Sequence, residues 1–294
     1  MKFFYILLTL CTLLCSCQKY IPTDVEIFGN LQQAAMNAQL AEPLAIRVLN
    51  HKSEPVENIE VRFLIKTGTG FFSGGTLELL VKTNSEGIAQ ANWTFGNDTG
   101  KHYVQAWVKQ LDRDIIFEAE AAYLLDARDG NRYLLTQIGQ QTWMAENMRF
   151  QTPLSRENSQ NPDQIYGKLY PWSEQSIVCP AGYRMPSIQD FQILSNYLGN
   201  EFYTIGKKLK SKTGWLYVND GRNSFGFNLF PSGNFINENQ MSEFRGLGEY
   251  GILWSNEAAD ASQAKYAILS YNSNELFFAH HPMLNQNACR CLKN

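Results

Sequence analysis

Runs of alternating apolar and polar residues between Leu44 and Ala121 do most to limit what this chain can fold into. Leu44, Ile46 and Val48 form the first run, and Ile59, Val61, Phe63 and Ile65 the second. Ala89, Ala91, Trp93 and Phe95 follow, then Val104, Ala106 and Val108, and finally Phe117, Ala119 and Ala121. Successive side chains of a strand point to opposite faces, so a period of two marks strands with one face buried and one wet. Asn50 to Pro55, Thr67 to Gly75, Asn84 to Gly87 and Gly96 to Gly100 separate the runs with residues that take tight-turn backbone angles. Short antiparallel strands at this spacing describe an all-β sandwich of ~100 residues. His51 and His102 read as isolated, solvated loop and strand-edge residues, and nothing in this stretch clusters for catalysis.

The amino terminus bears on where the chain goes. MKFFYILLTLCTLLCSC places one Lys before an apolar run, Phe3 to Leu14. That run is too short for a spanning helix of ~20 residues and suits the apolar region of an export signal. Leu14-Cys15-Ser16-Cys17 resembles the bacterial lipobox, in which the last Cys is lipidated and becomes the new first residue. The resemblance implies a lipoprotein signal peptide over residues 1–16, lipidation at Cys17, and a lipidated tether over 17–24. Several hydrocarbon chains on one residue give stable membrane attachment. Gln18 stands where an inner-membrane retention signal has Asp, so the expected location is the outer membrane, on its surface or its periplasmic face.

Of the six cysteines, Cys11 and Cys15 leave with such a signal and Cys17 is alkylated, which leaves Cys179, Cys289 and Cys291. An oxidising compartment favours one disulfide and one leftover thiol, with Cys179 bonded to either partner, because a Cys289–Cys291 ring would be very small. A net charge of -3 and no Lys/Arg block give no electrostatic footprint for nucleic acid.

Two resemblances organise the mature chain. Thr83-Asn-Ser-Glu-Gly87-Ile-Ala89-Gln-Ala91-Asn-Trp93-Thr follows Pro55-Val56 and Val61-Arg62-Phe63 and precedes Gly100 and Val104-Gln105-Ala106. This order resembles the bacterial immunoglobulin-like domain repeated in intimin and invasin, and it implies a spacer or adhesion module over residues 25–125.

From residue 126 the texture changes. Asp129-Gly130-Asn131 reads as a tight turn, and Gly139-Gln140 as a second one leading to Trp143-Met144-Ala145-Glu146-Asn147. Then come Tyr166-Gly167, Cys179-Pro180 and Gly182-Tyr183 to Pro186-Ser187. Gly214-Trp215, Gly226-Phe227, Pro231-Ser232-Gly233, Leu253-Trp254-Ser255 and Arg290-Cys291 complete the series. In this order they resemble the Fibrobacter succinogenes major paralogous domain over residues 126–294. The resemblance implies a loop-rich α+β domain with some likeness to C-type lectin and formylglycine-generating-enzyme folds, and it favours the Cys179–Cys291 pairing. Ser187 with Asp190 three residues on forms a capping box before Ile188, Phe191, Leu194 and Leu198, so a helix is predicted to end at Gly199. Lys207, Lys208 and Lys210 read as a solvated basic face.

No nucleophile-base set, metal-ligand spacing or phosphate-cradling loop is present, so the chain reads as a non-enzyme. Asp126, Asp129 and Asn131 lack the Gly and Glu of an EF-hand loop. Trp254-Ser255-Asn256-Glu257 loosely resembles the calcium- and sugar-binding segment of lectins. Ser255 departs from that motif, so no cofactor is expected, with calcium as the alternative. Cys289 and Cys291 with copper would be needed for an oxidase, and His280-His281, followed by Pro282, reads as a loop pair. The expected function is a cell-envelope lipoprotein whose immunoglobulin-like stalk presents a C-terminal recognition domain to a glycan or an extracellular protein. A structural or assembly role in the envelope is the alternative, with the oxidase third. Trp254, Asn256, Trp215, Tyr217, Asn219, Asp220 and Asn223 are the candidate ligand contacts, with aromatic rings for stacking and amide or carboxylate groups for hydrogen bonds.

Overall fold

A computed structural model describes residues 21–159, 164–199, 202–217, 221–238 and 240–294. Cys17 and the export segment lie outside the described residues, as do Asn219 and Asp220. The described residues divide into two compact units, one within residues 21–34 and 38–121 and the other within residues 35–37 and 122–294.

The first unit is built from strands that pair antiparallel, except that β2 (Gln32–Ala34) runs parallel to β10 (Arg113–Ala121). β1 (Asp24–Phe28), β3 (Leu44–Leu49) and β7 (Ile88–Ala91) form one sheet in the order β1-β3-β7. β2 (Gln32–Ala34), β4 (Glu60–Thr67), β6 (Glu78–Lys82), β9 (Lys101–Val108) and β10 (Arg113–Ala121) form the other, ordered β2-β10-β9-β4-β6, while the short β5 (Phe71–Phe72) pairs with β8 (Trp93–Thr94). The alternating residues are the interior: Leu44, Ile46, Val48, Val61, Phe63, Val104, Ala106, Val108, Phe117, Ala119 and Ala121 are all buried. Phe63 packs on Phe72 and Phe117 at 6.4 and 6.2 Å between ring centroids. This is the all-β sandwich expected from the period-two pattern.

One histidine departs from expectation. His102 is buried, with its ring edge-on to Phe95 at 4.7 Å. It sits on the inward face of β9, in phase with Val104 and Ala106, so the alternation that marks the strand also carries it inside. The turn beside it must be glycine: a Cβ on Gly68, whose φ is +96°, would lie 1.9 Å from His102 Nδ1.

The second unit mixes strands, helices and long loops. β11 (Tyr123–Leu125), β12 (Arg132–Ile138), β13 (Gln141–Met144), β15 (Tyr183–Arg184) and β22 (Leu292–Lys293) make a five-stranded sheet ordered β11-β12-β13-β22-β15. β16 (Asn234–Glu238), β17 (Met241–Arg245), β18 (Tyr250–Ala258), β19 (Gln263–Ser270), β20 (Phe277–Pro282) and β21 (Gln286–Ala288) make the larger one, ordered β17-β16-β21-β18-β19-β20. To it β14 (Leu169–Pro171) adds by pairing with β21. Asp129-Gly130-Asn131 turns β11 into β12, with Gly130 N–H bonded to Asp126 O at 2.8 Å. Gly139-Gln140 closes the β12–β13 hairpin between Ile138 and Gln141. His280 and His281 lie in β20 rather than in a loop, since Pro282 is the last residue of a strand and breaks nothing before it.

Helix α1 (Ile188–Leu198) forms with its capping box complete. Ser187 Oγ accepts from Asp190 N at 3.1 Å, and Asp190 Oδ2 accepts from Ser187 N at 2.7 Å. Phe191, Leu194 and Leu198 are buried with Trp143, Leu253, Ala267 and Leu269. A second helix, α2 (Phe202–Leu209), occupies the segment read as a basic surface patch, with Ile205 and Leu209 in the same core. Lys207 and Lys208 are partly exposed, but Lys210 is completely buried. Residues 35–37 complete the unit: Met36 exchanges backbone hydrogen bonds with Leu135 and Gln137, and Asn37 Nδ2 donates to Phe225 O at 2.8 Å.

Candidate functional site

The motif residues that are most distinctive in sequence meet around one buried guanidinium. Arg290 is completely buried, and it donates through Nη2 and Nε to Asn147 Oδ1 at 2.7 and 3.2 Å. It also donates to Asn228 O at 3.3 Å and to Phe227 O, and its guanidinium lies 4.5 Å from the centre of the Phe227 ring. Asn147 is fixed in turn by its own donation to Tyr166 O at 3.0 Å, and Trp143 meets Phe227 edge-on at 5.5 Å. Four separated motifs, around Trp143–Asn147, Tyr166, Phe227 and Arg290, thus become one structural centre. Burial pulls the Arg290 guanidinium down to about 9, which leaves it charged at neutral pH. Its acceptors are neutral, and its four hydrogen bonds join the loops that carry Asn147, Phe227 and Asn228.

Beside Arg290, Cys291 is bonded to Cys179 with their Cα atoms 5.8 Å apart, and Cys289 is a buried free thiol whose titration is pushed upward by burial. A thiol held in its protonated form is a poor nucleophile and a poor metal ligand. The pairing is the one the family resemblance favours.

The candidate acidic positions are already occupied. Asp126 accepts from Arg128 Nε at 2.9 Å and Nη2 at 2.7 Å, and Arg128 lies 3.7 Å over the Phe150 ring. Burial raises the Asp126 carboxyl, but hydrogen bonds from Arg128 and its charge outweigh burial and hold it below the ordinary range. Asp129 accepts from the backbone and side chain of Asn131. In the segment resembling a lectin motif, Glu257 Oε1 accepts from Ile188 N at the start of α1, and Oε2 takes Lys265 Nζ at 2.9 Å. Among the described residues no group of three or more His, Cys, Asp or Glu side chains is arranged to hold a metal ion.

The ligand candidates separate sharply by exposure. Trp254 is 0% exposed; its Nε1 donates to Tyr170 O at 2.7 Å and its ring meets His281 at 4.7 Å. Trp215 is also interior, donating to Ser211 Oγ at 3.1 Å. Neither ring can stack on a ligand, because inward-facing strand and loop aromatics in this unit are its packing. Asn256 is exposed and bonded through its backbone to Pro186 O. Asn223, at φ +47°, uses its side chain to accept from Asn228 N at 2.7 Å and so shapes a turn. Tyr217 is the opposite case: it is 87% exposed, it has a φ of +60°, and its ring lies 5.6 Å from that of Tyr271. A bulky side chain in the left-handed region is strained by ~1–2 kcal/mol relative to glycine. The strain is borne by a ring that gains almost no burial.

The fold and the buried centre together define a class: a two-unit protein in which a β-sandwich is followed in sequence by an α+β domain whose loops meet around one buried guanidinium. Residues 136–293 match the Fibrobacter succinogenes major domain. That match spans more than half of the chain, and the chain belongs to this family. No curated protein matches it. Among solved structures, a Yersinia pseudotuberculosis adhesin is similar at 11% identity and a TM-score of 0.39, covering 92% of this chain and 70% of the other. A C-terminal fragment of intimin, solved with the intimin-binding domain of its translocated receptor, has 14% identity and a TM-score of 0.27 over 92% of this chain and 99% of that one. Invasin, an integrin-binding protein, has 15% identity and a TM-score of 0.28 over 46% of this chain and 30% of its own. Scores this low do not establish a shared function. No helix among the described residues is long and apolar enough to cross a membrane.

Proposed function

We propose that this is a lipid-anchored outer-membrane protein without enzymatic activity, in which the immunoglobulin-like unit is a stalk and the C-terminal unit a recognition module for glycans. The Tyr217–Tyr271 pair carries the reading. It is an aromatic surface held out by a strained backbone, next to the exposed Asn272, while Trp143, Trp215 and Trp254 of the same unit are consumed by the core. Tyrosine rings offer large contact area for a sugar face at low entropic cost, and neighbouring amides supply its hydrogen bonds. Anchoring rests on the Leu14-Cys15-Ser16-Cys17 run.

A screen of glycans and extracellular matrix proteins against the soluble 18–294 chain tests the module. Saturable glycan binding that is lost in Tyr217→Ala supports it, and retention of binding in that variant refutes the site. Binding confined to a protein ligand replaces the glycan, and no binding at all favours a structural or assembly role in the envelope. Membrane fractionation of Cys17→Ser tests the anchor, with release into the soluble fraction as the expected outcome.

A further inference from the structure

A partly exposed tryptophan stands on the outer face of the five-stranded sheet in the first unit. Val61 and Phe63 of β4 and Val104, Ala106 and Val108 of β9 fill the interior, so the alternation sends Arg62 and Trp107 outward. The register sets them side by side: Arg62 pairs with Trp107 on β9 and with Leu80 on the edge strand β6. Leu80, Arg62 and Trp107 therefore form one row across three strands, and Leu80 is 58% exposed. Glu60 lies two residues before Arg62 on β4 and Glu78 two before Leu80 on β6, both exposed on the same face, and Lys109 follows two residues after Trp107. These six residues line a pocket of about 260 Å³.

The pocket carries an unmet donor. Arg62 Nε is buried without a hydrogen-bond partner, and Glu78 Oε1, at 3.8 Å, is too far away to accept from it. A buried N–H without an acceptor is costly, so an oxygen brought into the pocket gains a bond there. The charges of the lining cancel, with Arg62 and Lys109 against Glu60 and Glu78. A carboxylate on the ligand would face the two glutamates, and an ammonium would face the two cations. Hydroxyl groups both donate and accept, so they complement a lining of this kind without bringing a charge. Trp107 and Leu80 supply the apolar wall on which the C–H face of a sugar ring can lie. The volume is below the ~300–1,000 Å³ of sites for drug-sized ligands and suits a single ring. We propose that this pocket binds one uncharged monosaccharide unit, which makes the sandwich a recognition module in its own right as well as a stalk. The site uses no residue of the C-terminal unit, so it stands or falls independently of Tyr217.

Proton–nitrogen correlation spectra of the isotope-labelled mature chain test the site directly. The Trp107 indole N–H signal, identified by its absence in Trp107→Phe, should move saturably on titration with at least one of the methyl glycosides of glucose, galactose, mannose and N-acetylglucosamine. Arg62→Met keeps the aliphatic stem on the outer face and deletes the donor. In that variant the same movement should require about tenfold more sugar, the loss expected for one charge-assisted hydrogen bond. Glucuronic acid and glucosamine, which add a carboxylate or an ammonium to the same ring, should bind more weakly than methyl glucoside. Tyr217→Ala should leave the response unchanged. A Trp107 signal that stays still with all four glycosides overturns the proposal, as does a movement that Arg62→Met leaves unaltered. Equal or tighter binding of either charged sugar overturns the assignment to a neutral ligand. A response abolished in Tyr217→Ala also overturns the site and gives the binding to the C-terminal unit.

Discussion

The Arg290 centre and the Tyr217 edge belong to the same unit and use opposite strategies. Around Arg290 four hydrogen bonds run to neutral acceptors, the side chains are interior, and the contacts join residues as far apart in sequence as Asn147 and Arg290. At Tyr217 the backbone is strained, the ring is almost wholly in water, and its aromatic neighbour is a single tyrosine. The difference teaches that a recurring motif in a loop-rich domain can mark the framework, while the surface available for recognition is carried by residues outside it. Loops cannot share a ladder of backbone hydrogen bonds as strands do, so side chains such as Asn147 and Arg290 must supply their partners.

Substitutions that break the framework side of this comparison should have the largest effects. Arg290→Ala leaves Asn147 Oδ1 and two backbone carbonyls without donors in the interior, and removing one side of such a buried charged network costs ~3–5 kcal/mol. Chemical denaturation should show this loss in the second unit, and Arg290→Lys should recover only a minor part of it, since an ammonium cannot reach acceptors arranged for a planar fork. Next comes the disulfide. Cys291→Ser should cost up to ~4–5 kcal/mol by the chain-entropy argument for a loop of this length, whereas Cys289→Ala, which deletes only a buried thiol, should cost about 1 kcal/mol. Thermal melts under non-reducing conditions would separate the two, and equal losses would mean that the two cysteines share the bridge.

What could be read in the chain follows the range of the interactions responsible. The strands of the first unit are visible because alternation is local, and the helix at Ile188 because its capping box sits within four residues. The turns at Gly130 and Gly139 follow from residues that tolerate left-handed angles. β6 escaped because Leu79, Leu80 and Val81 of this sheet-edge strand are consecutive apolar residues, so residue type does not alternate although exposure does. Helix α2 escaped because the lysines at 207, 208 and 210 look like a wet face until the turn carrying Asn274 covers one of them. The role of residues 35–37 rests on pairing with Leu135 and Gln137, a hundred positions away, and nothing local announces it. Trp254 and Trp215 had the right chemistry for ligands and the wrong side of the backbone. Tyr217 was legible as an aromatic shortly before the polar Asn219 and Asp220, but its positive φ and its exposure were not.

A pH titration sharpens the contrast from within the core. His281 packs on Trp254 and Tyr266, and burial, reinforced by the neighbouring His280, lowers it to about 4. An unfolded histidine titrates near ~6.5. Between those values the unfolded chain binds a proton that the folded chain refuses, so stability is full above ~6.5 and falls as the pH drops towards 4, by on the order of 2–3 kcal/mol. Asp126 and Asp190, both held below the ordinary carboxylate range, add their loss only below about pH 4. His281→Gln should flatten the stability profile between ~pH 6.5 and pH 4 and leave the steeper acid limb in place, as followed by urea midpoints at successive pH values.

The smallest expected energy carries the most information about function. Tyr217→Gly removes a side chain that gains little burial and relieves a backbone angle that glycine adopts freely, so the relief offsets the entropy glycine adds to the unfolded chain. The variant should be unchanged or more stable by up to ~1 kcal/mol. Framework residues do not behave this way, since removing an aromatic from a packed core costs ~3–5 kcal/mol. If Tyr217→Gly keeps or raises the melting temperature while abolishing glycan binding, strain and exposure at this position are retained for recognition. A loss of stability comparable with that of Trp254→Ala would instead make Tyr217 part of the same framework as Arg290, and the distinction between the two regions would collapse.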